Sequence, residues 1–166
     1  MRIARDNRGL TLIEVMTVIA IFGILLTALS FSLRGWVGKY KVEDETKRIY
    51  ADLMDARARA MQKKRLTFVD LSANRYRTFE DSDPGPDGDE ALTGADTRIT
   101  DTETRYAIDQ VLTGGVTQFH FDREGLASAT GRIRLVSSLS PDYDCITIAT
   151  TRIRLGRFNG GTCQEK

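Results

Sequence analysis

"RGLTLIEVMTVIAIFGILLTALSFSL", residues 8–33, is an apolar run interrupted near its start by one carboxylate, Glu14. From Leu10 to Leu33 the run has the length of a helix that crosses a bilayer. Arg2, Arg5 and Arg8 precede it, and that basic flank is expected to stay on the cytoplasmic side. A secretory signal would have a shorter apolar core and end in a small-x-small cleavage site. Neither holds here, so the segment is expected to be retained. Glu14 is the misfit, because an ionisable group inside a bilayer costs roughly 2.5 to 3.5 kcal/mol on insertion scales. Two readings follow from the residues alone. Glu14 lies close enough to the N-terminal end to reach the headgroups, or it meets a positive group on another chain.

The string Gly9-Leu10-Thr11-Leu12-Ile13-Glu14-Val15 behind a short basic leader resembles the class III signal of type IV pilins and type II secretion pseudopilins. The resemblance implies that a prepilin peptidase cuts between Gly9 and Leu10 and methylates the new N-terminus. It also implies that Glu14 assists filament assembly. Leu10 stands where the family usually has Phe. The implied partners are other pilin or pseudopilin subunits, the prepilin peptidase, an inner-membrane assembly platform, and membrane lipid before assembly. The implied location is the bacterial inner membrane, single-pass with a periplasmic C-terminal domain, and then a periplasmic or extracellular filament. Physically, a carboxylate stranded in an apolar bundle can be neutralised by a neighbour's α-amino group, which would set the axial register.

The remainder is sized for one domain. The 166 residues are 41% hydrophobic and 28% charged, a globular balance. The net charge of +1 conceals asymmetry: residues 34–65 hold ten Lys/Arg against five acids, and residues 80–103 hold nine acids against one Arg. Cys145 and Cys163 suit either one disulfide in an oxidising compartment or a reduced cytosolic pair. His120 is the only histidine, so no Cys/His metal site is expected. No nucleophile elbow or phosphate-binding glycine loop occurs, so neither an enzyme nor a bound cofactor is expected.

Between Arg34 and Lys64, Val42, Thr46, Ile49, Leu53, Ala56 and Ala60 recur at helical spacing. The alanines and methionines around them favour helix, so the apolar run is expected to continue as an amphipathic helix to about residue 64. After Arg65 the period becomes that of strands, expected at 66–71, 75–79, 104–108, 116–122, 132–137, 145–150 and 152–158. No helix-length segment separates them, which predicts an antiparallel sheet and an α+β fold.

"FHFDREGLAS", "GRIRLVSS" and "CITIATTRIRLGRF" together resemble the C-terminal half of the H-type minor pseudopilins, a family that includes FimT- and FimU-type minor pilins. The expected organisation is a prepilin leader over 1–9, a transmembrane and filament-core helix over 10–33, its amphipathic continuation over 34–64, and a β-rich periplasmic domain over 65–166. The resemblance implies a pilin-like fold, a structural disulfide between Cys145 and Cys163, and a subunit that initiates or caps a type IV pilus or type II secretion pseudopilus. An alternative is DNA capture in natural transformation, since some FimT-type relatives bind DNA through basic residues near the C-terminus. Arg152, Arg154 and Arg157 lie in that neighbourhood, although Thr151 replaces the glycine of the family's G-R-x-R element. "EDSDPGPDGDEALTGAD", residues 80–96, crowds Asp83, Asp87, Asp89 and Glu90 but lacks the ligand spacing of a twelve-residue calcium loop. A solvated insertion is expected there. His120, alternating with Phe119 and Phe121, is expected on a strand surface.

Overall fold

The computed structural model describes residues 11–83, 85 and 88–166, the side chains of 28–34 excepted. Helix α1 runs Leu12–Lys63 and stops where Lys64 adopts φ of 56°. Among the described residues nine strands follow in chain order: β1 Thr67–Ser72, β2 Arg75–Glu80, β3 Thr97–Glu103, β4 Ile108–Leu112, β5 Gln118–Phe121, β6 Gly131–Leu135, β7 Cys145–Ala149, β8 Arg152–Asn159 and β9 Thr162–Glu165. The chain divides into two compact units between Val37 and Gly38.

In the first unit, the described helix is apolar on every side. Leu12, Ile13, Val15, Met16, Val18, Ile19, Ile21, Phe22, Ile24, Leu25 and Leu26 are all exposed. A helix without a polar face has no preferred side to bury and belongs in an apolar surrounding. Thr17 and Thr27 do not break this pattern. Their hydroxyls donate to carbonyls of the preceding turn, Ile13 and Glu14 for Thr17 and Gly23 and Ile24 for Thr27.

In the second unit, the C-terminal half of α1 carries the stripe read from the sequence. Val42, Thr46, Ile49, Leu53, Ala56 and Ala60 are each no more than 1% exposed. The apolar members join Val69, Leu71, Tyr76, Phe119, Phe121, Ile133, Leu135, Ile146 and Ile148 in one core. Small residues at 56 and 60 let the helix end approach the strands closely, where larger ones would overfill the space.

Two antiparallel sheets form that core rather than the single sheet expected. One is ordered β3-β2-β1-β5 and the other β4-β6-β7-β8-β9. The strand expected at 104–108 is instead the passage between them: β3 ends at Glu103 and β4 begins at Ile108. The passage is fixed by backbone bonds, Thr104 N–H to Asn74 O at 2.8 Å and Ile108 N–H to Ala73 O at 2.6 Å. Strands β3, β4 and β9 are additions to the expected set. β3 (TRITDTE) and β9 (TCQE) are polar edge strands with no apolar alternation to mark them.

Candidate assembly helix and the basic face of the domain

Thr11 and Glu14 form a capping arrangement at the start of α1. The Glu14 N–H donates to Thr11 Oγ1 at 3.3 Å, and the Thr11 hydroxyl donates to Glu14 Oε2 at 3.5 Å. Thr-x-x-Glu is the sequence signature of a capping box. That signal was available in "TLIE", and it gives Glu14 a local role that the apolar run alone did not suggest. A carboxylate in the first turn also lies favourably in the helix dipole. One oxygen pair still leaves acceptor capacity on the carboxylate. Gly9, Leu10 and the leader over 1–9 lie outside the described residues. Among the described residues no helix is long and apolar enough to cross a membrane; the expected segment 10–33 includes Leu10 and the side chains at 28–33, which lie outside them.

The six arginines of the last third are distributed by strand register. Arg132 pairs with Thr147, which pairs with Arg154; Arg134 pairs with Cys145, which pairs with Gly156. Alternation therefore puts Arg132, Arg134, Arg152 and Arg154 on the outer face of the second sheet. Arg157 is exposed but, at an odd position of β8, falls on the other face with its register partner Gln164. The three arginines read together from the sequence are thus two on one face and one on the other. Several are already engaged. Arg154 meets Glu165 at 3.1 Å, Arg132 meets Asp109 at 3.7 Å, and Arg123 meets Glu90 at 3.3 Å. The guanidiniums of Arg134 and Arg132 lie 3.8 and 4.7 Å from the Phe158 ring centre.

Cys145 and Cys163 are joined in a disulfide with a Cα separation of 6.0 Å. Gly156, on the strand between them, sits beneath it. A Cβ there would stand 2.8 Å from Cys163 Sγ and 2.4 Å from the Gln164 carbonyl oxygen.

The acidic stretch is exposed at Gly85, Asp89, Glu90 and Ala91, but Glu80, Asp81 and Asp96 are buried. Asp81 is fully buried and its carboxylate accepts the backbone N–H groups of Asp89 at 3.1 Å and Glu90 at 3.0 Å. Asp96, also buried, accepts from Ser82 and Thr93 N–H at 3.0 and 2.7 Å. Glu80 is held by Lys63 at 2.5 Å and Arg65 at 3.2 Å. These carboxylates organise the loop's own backbone, which a count of acids cannot reveal. Among the described residues no group of acids, histidines and cysteines is arranged to hold a metal ion; Asp87 lies outside them. His120 is half-buried, edge-on to Phe68 with centroids 5.6 Å apart, so it is not a plain surface residue. Burial holds its pKa below the ordinary value of 6.5 against the opposing pull of Asp122, Glu90 and Asp81. Tyr76 is pushed upward, first by burial and then by its hydrogen bond to Asp52.

No curated protein and no solved structure matches this chain. Two family models do. Residues 4–30 match the prokaryotic N-terminal methylation motif. Residues 45–152 match the type II transport protein GspH family, covering α1 from residue 45 onward and strands β1 to β7. GspH-type pseudopilins are structural subunits, and the α+β arrangement of a helix on antiparallel sheets is the pilin-like fold. The chain therefore belongs to the GspH family, as a type IV pilin-like minor pseudopilin.

Proposed function

We propose that this minor pseudopilin is held in the bacterial inner membrane by residues 10–33 and then packed into a filament, where it initiates or caps a type II secretion pseudopilus or type IV pilus. The observation that carries the reading is the stretch of α1 over residues 12–27, apolar on all sides and exposed, with Glu14 as its one charged side chain. Such a surface suits lipid before assembly and neighbouring subunits after it. The prepilin peptidase would cut between Gly9 and Leu10, which lie within the methylation-motif match. The free α-amino group so created is the positive partner for Glu14 of an adjacent subunit. The intact mass of the protein from the membrane fraction of its native host, with and without reduction, tests this directly. A chain beginning at methylated Leu10 supports the reading, whereas one retaining Met1–Gly9 beside an active peptidase defeats it.

DNA capture is the second reading, favoured by the exposed Arg152 and Arg154 alongside Arg132 and Arg134 on one sheet face. Interleaved aromatics for stacking are limited to Phe158, whose ring is already covered by guanidinium groups. Charge reversal at Arg152 and Arg154 is expected to abolish DNA retention while preserving the fold, and unchanged retention would remove this reading.

A further inference from the structure

Beside the second sheet, where the chain leaving β6 passes the β8–β9 hairpin, lies a cavity of about 440 Å³. Its lining includes Arg134, Arg157, Ser138, Ser140, Asn159 and Gln164. Neither Arg152 nor Arg154 lines it; with the face considered for DNA it shares Arg134 and Phe158. Three observations give it a chemical character. First, Arg134 Nε is buried without a hydrogen-bond partner. That nitrogen is closed to solvent, so an acceptor in the cavity would meet the terminal N–H groups of the same guanidinium. Second, the same guanidinium rests on the Phe158 ring at 3.8 Å, which fixes its orientation in the absence of a ligand. Third, Arg157, which leaves β8 on the opposite face, also lines the space and makes no ion pair among the described residues, so a second guanidinium borders the cavity. Its field reaches Asp142, whose carboxyl is held low chiefly by the Lys166 hydrogen bond and to a smaller extent by Arg157.

The one acid in the lining, Asp144, carries a single negative charge against the two guanidiniums. It is buried, and its Oδ1 accepts the Phe158 N–H at 2.6 Å. Ser137 Oγ accepts the Leu139 N–H at 3.0 Å, and its own O–H stays free to donate. What remains for a ligand is two guanidinium forks, the hydroxyls of Ser137, Ser138 and Ser140, and the carboxamides of Asn159 and Gln164. Guanidinium forks match the paired oxygens of phosphate. The volume exceeds that of a bare ion and leaves room for a hydroxylated organic body, which hydroxyls and carboxamides would contact.

We infer that this cavity binds a small phosphate-bearing ligand through Arg134 and Arg157. The inference stands apart from filament assembly and from DNA capture. It is tested by titrating the full-length chain, in uncharged detergent micelles, with inorganic phosphate and separately with glycerol 2-phosphate, followed by calorimetry. Saturable binding is expected, weakened about tenfold or more by Arg157→Gln and by Arg134→Lys, which keeps the charge but removes the fork. Arg157 is exposed, so its variant should melt with the parent chain, and an unchanged melting temperature shows that the loss is local. The double variant Arg152→Gln/Arg154→Gln should bind as the parent does. Tighter binding of the ester identifies an organic body as part of the ligand, and equal affinity identifies the free ion; either upholds the site. Absence of saturable binding, binding indifferent to both cavity variants, or loss in the Arg152/Arg154 variant would overturn it.

Discussion

Cys145 of β7 is bonded to Cys163 of β9 across the intervening strand β8, with Gly156 directly beneath the bridge. Strands separated by one neighbour lie roughly 9.5 Å apart in a flat sheet. Here the two Cα atoms are 6.0 Å apart, so the sheet curls over β8 at this point. The bond thus fastens a four-residue edge strand that has no buried side chain of its own to hold it.

Opening this bridge should weaken the domain by about 3 kcal/mol, the loop-closure value for a separation of 18 residues. Cys163→Ser is the cleaner variant, because Cys145 is fully buried and Cys163 is not. Urea unfolding of parent and variant, with the parent repeated under reductant, measures the difference. Equal midpoints would show that β9 contributes nothing to global stability.

Gly156→Ala should be costly for a different reason. The added methyl carbon would lie 2.4 Å from a backbone oxygen, an atom that cannot swing aside as a side-chain end can. Overfilled sites typically lose about 1 to 3 kcal/mol. The loss should appear both as a lower denaturation midpoint and as a larger fraction of free thiol in non-reduced protein.

Glu14→Gln separates the two roles available to this side chain. Glutamine can still take part in the cap with Thr11, but it carries no charge. If the charge is what a neighbouring subunit recognises, Glu14→Gln should be excluded from filaments as fully as Glu14→Ala, while helix content stays at the parent level. Normal incorporation of Glu14→Gln, scored by immunoblot of sheared filaments, would assign Glu14 to capping alone.

His120 predicts the direction of one pH effect. Its folded value lies below the unfolded 6.5, so on acidification the unfolded chain takes up the proton first. The stability tied to this group is fully present above 6.5 and is lost as the pH falls from there through the folded value. His120→Gln should flatten that part of the curve, seen by comparing denaturation midpoints at roughly pH 7.5 and pH 5. A parallel offset at both pH values would mean that the histidine is not the titrating group.

The helix stripe was readable because packing on one side imposes a period, and all six positions from Val42 to Ala60 are buried. Strands β1, β2 and β5 to β8 were readable for the same reason, with apolar residues such as Val69, Tyr76, Phe119, Ile133, Ile146 and Ile153 on the inner face. Edge strands face few neighbours. β3 is held chiefly by its pairing with β2, with Arg75 and Arg98 both on Asp101, so hydropathy carries no trace of it. The division into two sheets was hidden because it depends on backbone bonds around residues 104–108, which any side chain permits. At the candidate sites, types and spacings located Glu14, the cysteines and the arginines. The face on which each arginine falls required the register, and Asp81 and Asp96 looked like solvent-facing acids until their N–H partners were known.

The Thr11 hydroxyl, 3.5 Å from the Glu14 carboxylate, has a consequence if that carboxylate meets a neighbouring subunit as proposed. The carboxylate keeps acceptor positions to spare. On the assembly reading proposed above, a neighbour's ammonium would then join a carboxylate already oriented at the head of its helix, and would displace nothing. Thr11 would act as a guide, and its removal should show itself first as subunits that enter the filament more slowly.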